Sequence, residues 1–89
     1  MKKLPRTMQT VQKRTDTLRN LLRRSAGEQQ LMEAARRLRQ ARINVLRAKI
    51  GELSPALFTS KLDKRIERLS EKVELLRATE PQTILNEFR

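Results

Sequence analysis

The sequence contains no cysteine, histidine, tryptophan or tyrosine. Without Cys or His, the chain cannot build a disulfide framework, a zinc finger or a histidine-based catalytic site. It also has no glycine-rich phosphate loop, no nucleophile with a recognisable base and no closely spaced pair of acids. We therefore expect a protein that is not an enzyme and that uses neither a metal nor a cofactor.

Helix breakers and long apolar runs are also scarce. Only two glycines and three prolines occur in 89 residues, which favours long helices. No apolar run approaches the length of a membrane span, and the N-terminus lacks the apolar region of a signal peptide. We expect a single small cytoplasmic domain, with no membrane as a partner. Its small core favours a protein partner or a homodimer as an additional source of stability.

Positive charge is what the sequence has in abundance. Lys and Arg number 21 against 10 acidic residues, so the formal net charge is +11. Residues 1–26 alone hold eight basic residues and one acidic residue. A charge of this size attracts polyanions and repels copies of the same chain. Because aromatic residues make up only 2% of the chain, stacking of single-stranded bases is disfavoured and a duplex or a structured backbone is the favoured ligand.

The apolar residues repeat at helical spacing, so the predicted fold is all-α. We expect an antiparallel helical hairpin or three-helix bundle with heptad packing, as in a coiled coil, and a short C-terminal helix. The predicted helices cover about 5–25, 28–50, 55–78 and 81–88, after a basic arm at 1–4. The first stripe comprises Leu4, Met8, Val11, Thr15, Leu18 and Leu22. The third comprises Phe58, Leu62, Ile66, Leu69, Val73 and Leu76.

The second helix has a broader apolar arc, which predicts packing against two neighbours. Its main side comprises Leu31, Ala34, Ala35, Leu38, Ala41, Val45 and Ala48. Gly27 is predicted to end the first helix in the left-handed conformation, while Ser25 and Glu28 fit a capping box for the second. One continuous helix through Gly27 is the alternative. In the last helix, Ile84, Leu85 and Phe88 are predicted to cover the end of the bundle or to dock another protein.

The third helix carries opposite charges on its two flanks. Lys61, Arg65, Arg68 and Lys72 lie on one flank, and Asp63, Glu67 and Glu74 lie on the other. A helix of this kind is suited to lie between differently charged surfaces. The acidic flank is expected to face the basic first helix.

Arginine is the main candidate for ligand binding, because its planar guanidinium pairs bidentately with phosphate and stays charged. The second helix has the densest cluster, and its polar face also carries amides suited to base edges. The alternative is an ordinary solvated helix face. The predicted nucleic-acid-binding residues are Arg14, Arg19, Arg23, Arg24, Arg36, Arg39 and Arg47.

Arg42 and Lys49 fall inside the apolar arc of the second helix. Since an unpaired buried charge is costly, each is expected to reach solvent or to pair with an acid such as Glu67 or Glu74. An inward-facing pocket for a small anion is the alternative interpretation.

Two functions follow from these patterns. In the first, the chain is a small basic helical protein that binds the backbone of DNA or RNA within a nucleoprotein complex. The second is a coiled-coil interaction module, such as an adaptor, chaperone or regulator, that docks a partner helix.

Overall fold

The structure is a computed structural model that describes residues 4–53 and 60–89, with side chains for 4–53 and 63–89. Its four helices are α1 (Arg6–Arg23), α2 (Glu28–Leu53), α3 (Ser60–Ala78) and α4 (Pro81–Asn86). No strand occurs in these ranges, so the all-α prediction is confirmed. The predicted start of the third helix at residue 55 and the basic arm, apart from Leu4, lie outside the described residues.

Helix α2 lies at the centre of the fold and packs against each of the other three helices. The prediction that its broad apolar arc faces two neighbours is therefore confirmed. Its buried residues are Leu31, Ala34, Ala35, Leu38, Ala41 and Ile43. Ala48, which the apolar pattern places on this side, is exposed. The helix also continues three residues beyond the predicted end, because Gly51 takes an ordinary helical conformation.

Helices α1 and α3 do not pack against each other within the described ranges. The three long helices therefore form a flat layer with α2 in the middle, and the Cα atoms extend over 50 × 34 × 15 Å. The expectation that the acidic flank of α3 faces α1 is wrong. Asp63, Glu67 and Glu74 are exposed to solvent instead.

The turn between α1 and α2 closes two residues earlier than predicted. Ser25, and not Gly27, has the left-handed backbone, with φ of 54°. The Ser25 N–H donates to the Leu22 carbonyl at 3.2 Å, and the Ala26 N–H donates to the Leu21 carbonyl at 3.0 Å. This pair of bonds is the Schellman motif, and Gly27 then precedes the first residue of α2. Neither the capping box nor a continuous helix is present.

Helix α4 completes the core. Ile84 and Leu85 are 1% and 0% exposed, and they share one cluster with Leu18 of α1 and Leu38 of α2. Of the two interpretations of this segment, covering the bundle is the one found. Phe88 follows the helix and packs against the same cluster.

Candidate nucleic-acid interface

Three of the predicted arginines lie where α1 ends. Arg19 and Arg23 are exposed in its last turns, and Arg24 is the exposed C-cap residue. The chain reverses at the left-handed Ser25, so these residues come directly before the turn between α1 and α2. The guanidinium of Arg19 sits over the Phe88 ring, with Cζ 5.7 Å from the ring centroid. Arg19 therefore also anchors the C-terminal segment, whereas Arg23 and Arg24 have no such contact in the described structure.

Arg14 lies on the seam between α1 and α2. It is half-buried and lines a shallow depression together with Glu33 and Arg37 of α2. Arg37 pairs with Glu33 at 3.4 Å, so the Glu33 carboxylate offsets part of the positive charge in this depression. The packing of α1 on α2 thus brings Arg14 beside Arg37 of the arginine cluster on α2. From the sequence, the candidate arginines of the two helices could only be predicted separately.

Arg36 and Arg47 lie on the exposed side of α2, away from the apolar arc. Arg36 is 3.9 Å from Glu33, a loose contact between two exposed side chains, and Arg47 forms no ion pair with a described residue. Surface pairs of this kind contribute at most about 1 kcal/mol and leave the cation available to a ligand. The amides of Gln40 and Asn44 bond to each other at 3.0 Å on the same helix. The Gln40 side-chain N–H donor and the Asn44 carbonyl acceptor therefore already have a hydrogen-bond partner within the protein.

Arg39 has a structural contact that the sequence does not reveal. Its Nη1 atom donates to the carbonyl oxygen of Thr79 at 2.9 Å, and the residue is half-buried. Thr79 directly follows α3, so this bond fixes the end of α3 beside α2. Arg39 is consequently less free to meet a phosphate than the other predicted arginines.

Arg42 pairs with an acid, as one interpretation predicted, but the acid is Glu87 rather than Glu67 or Glu74. Its Nη2 and Nη1 atoms lie 3.0 and 3.4 Å from the two Glu87 carboxylate oxygens. The pair joins the middle of α2 to the segment after α4. Lys49 is exposed and lines a different depression, so the structure does not bring Arg42 and Lys49 into a shared pocket.

The depression beside Lys49 holds a basic cluster that the predicted site omits. Arg65, Arg68 and Lys72 of α3 line it together with Lys49 and Leu53 of α2, and Glu52 is the one acid there among the described residues. The sequence does place the three α3 residues on one flank by their helical spacing. Only the antiparallel packing of α3 on α2 adds Lys49 to them.

Most of the described basic side chains are not neutralised within the molecule. Ion pairs with carboxylates involve Arg36, Arg37, Arg42, Arg77 and Arg89. Over the described side chains, no such pair is formed by Arg6, Lys13, Arg14, Arg19, Arg23, Arg24, Arg47, Lys49, Lys64, Arg65, Arg68 or Lys72. Most of the positive charge of the described side chains is therefore free to interact with an anionic ligand.

Comparison with known proteins finds no matching family, no matching curated protein and no matching solved structure. Among the described helices, none combines the length and the apolar character needed to cross a bilayer.

Proposed function

We propose that this protein binds the phosphate backbone of a nucleic-acid duplex or of a folded RNA and catalyses no reaction. The observation that carries the proposal is the set of exposed arginines without a carboxylate partner. This set includes Arg23 and Arg24 at the end of α1 and Arg47 on the outer side of α2. Arg14 on the seam and the loosely paired Arg36 are two further cations of the proposed binding set.

The scarcity of aromatic rings among the described side chains favours backbone contacts over base contacts. Phe88 has the only aromatic ring among the described side chains, and the guanidinium of Arg19 already covers it. Base stacking needs a free ring face, whereas phosphate contacts need only donors and positive charge. Binding through the backbone is expected to be insensitive to sequence and sensitive to salt.

The test is the affinity for a fluorescein-labelled DNA or RNA duplex of mixed sequence, measured by anisotropy at rising NaCl concentration. If about five arginines contact phosphates, the log–log slope is expected to be about −4.5. Affinity then falls on the order of 500-fold between about 50 and 200 mM salt. An affinity that does not change with salt, or no binding at low salt, would refute the proposal.

Charge reversal locates the surface. The double variants Arg23→Glu/Arg24→Glu and Arg36→Glu/Arg47→Glu are each expected to weaken binding and to reduce the salt slope by about two. Arg77→Glu combined with Lys64→Glu makes the same change in net charge on α3, and it should have a much smaller effect. Equal losses in all three double variants would mean that net charge alone, and no particular surface, attracts the nucleic acid.

A further inference from the structure

An apolar groove remains open on the face of α2 that lies between α1 and α3. Because the two outer helices do not pack against each other, apolar side chains of all three helices stay accessible there. Leu4 and Met8 are 42% and 39% exposed. The groove encloses about 360 Å³ and is lined by Leu4, Met8, Val11, Gln12, Arg42, Val45, Leu46 and Leu76.

The C-terminal helix shows what occupies the first half of this face. Leu31, Leu38 and Arg42 follow each other along one side of α2, and the first two belong to the buried cluster that α4 joins where it packs on α2. Ile84 and Leu85 supply the apolar contacts, and Glu87 pairs with Arg42 where α4 ends. A short helix with apolar residues and a carboxylate therefore fits this face. Beyond Arg42, no described segment of the chain covers it.

The second half of the face ends at the basic cluster of Lys49, Arg65, Arg68 and Lys72. These four side chains form no ion pair with a described carboxylate. The surface is thus apolar near Met8 and Leu46 and strongly basic one to two helical turns later. A ligand that covers all of it needs apolar side chains at one end and negative charge at the other.

We propose that this groove binds an acidic amphipathic helix of a partner protein. From Arg42 to Leu53 the α2 backbone advances about 16 Å, which matches about three turns of an incoming helix. Its apolar side chains contact Met8, Val45 and Leu46, and its carboxylates pair with the basic cluster. The partner helix thereby continues along α2 the packing that α4 begins.

The charges favour this occupant over the two others that fit the surface. A second copy of this chain carries the same net charge of +11, so its approach is repelled. A nucleic-acid backbone satisfies the basic cluster but leaves the apolar residues in water. Only a segment that is both apolar and acidic complements the two halves together. The inference does not depend on the proposed function, because it uses none of the arginines assigned to nucleic acid.

The experiment measures binding of the full chain to a designed, fluorescein-labelled peptide of about 14 residues. The peptide has leucines at i, i+3, i+4 and i+7 and glutamates on the remaining positions of its C-terminal half. A scrambled peptide of equal composition and a peptide with lysines in place of the glutamates are the controls. We expect binding of the first peptide and at least about tenfold weaker binding of both controls.

Variants of the groove have matched controls on the same protein. Met8→Asp introduces a charge into the apolar half, and Leu75→Asp makes the same kind of change at a residue that is 69% exposed outside the groove. Lys72→Glu reverses a charge of the basic cluster, and Lys64→Glu does so on another side of α3. Met8→Asp and Lys72→Glu should each weaken binding about tenfold, whereas the two controls should change it less than about twofold.

Circular dichroism verifies that each variant is folded, and Leu4→Asn replaces Met8→Asp if the latter loses helix. Equal binding of the scrambled peptide, or equal effects of Lys64→Glu and Lys72→Glu, would overturn the inference. A concentration-dependent dimer that Met8→Asp abolishes would assign the groove to a second copy instead. Release of the bound peptide by the duplex, together with loss of duplex binding in Lys72→Glu, would assign the basic cluster to nucleic acid.

Discussion

Replacing Ser25 by glycine is expected to stabilise the protein, although the substitution removes side-chain atoms. Ser25 has a φ of 54° and an exposed side chain, and its backbone closes the Schellman motif after α1. A residue with a Cβ atom in this conformation is disfavoured by about 1–2 kcal/mol, a cost that glycine avoids. The greater freedom of glycine in the unfolded chain offsets about 0.5–1 kcal/mol of this gain. We expect a net increase of about 0.5–1 kcal/mol in the free energy of unfolding.

Thermal and urea unfolding followed by far-ultraviolet circular dichroism is the suitable assay, since the chain has no Trp or Tyr for fluorescence. An increase of this size corresponds to about 2–8 °C in Tm for a domain of this length. Ser70→Gly is the matched control, because Ser70 is exposed within α3 and has an ordinary helical conformation. There the same replacement should lower stability by about 0.5 kcal/mol. If both variants change stability in the same direction, the left-handed turn at Ser25 is not the cause.

Three further changes test the packing. Leu85→Ala removes a fully buried side chain of α4 and is expected to cost about 3–5 kcal/mol in urea unfolding; a cost below about 1 kcal/mol would show that α4 does not belong to the core. Glu87→Gln breaks the partly exposed pair with Arg42 and should cost at most about 1 kcal/mol at low salt, with the difference decreasing at high salt. Gly51→Ala, at a helical position where a Cβ atom meets nothing within 4 Å, is expected to raise Tm through a gain of up to about 1 kcal/mol.

The helices were predictable from local patterns, and their ends were less so. The alternating stripe through Leu18 marks α1 correctly, because apolar spacing reports the face that a helix buries. The sequence favours Gly27 for the turn after α1, since glycine is the residue that most often accepts positive φ, and this prediction is wrong. In the structure the Schellman hydrogen bonds place this conformation at Ser25. Residue propensity thus locates the turn to within a few residues, whereas the hydrogen bonds show which residue has the left-handed conformation.

The predicted arginines divide in a way that residue type alone does not show. Arg23 and Arg47 are exposed and form no ion pair with a described residue, as a phosphate-binding role requires. Arg39 instead bonds a carbonyl forty positions later, and Arg42 pairs with Glu87. An arginine that binds a ligand and one that ties two helices together look alike in a sequence. Their difference lies in contacts between residues that are distant along the chain.

The sequence by itself determined the all-α class, the approximate spans of the helices and the large positive charge, because apolar periodicity reports the local conformation and composition fixes the charge. Tertiary packing alone decided that α1 and α3 stay apart and that α4 covers only half of the face between them. It also joined Lys49 of α2 to Arg65 and Lys72 of α3 in one basic cluster. Such arrangements depend on which faces of the helices pack together. Because many pairings of faces satisfy the same apolar pattern, the total free energy of the packed protein decides which one forms.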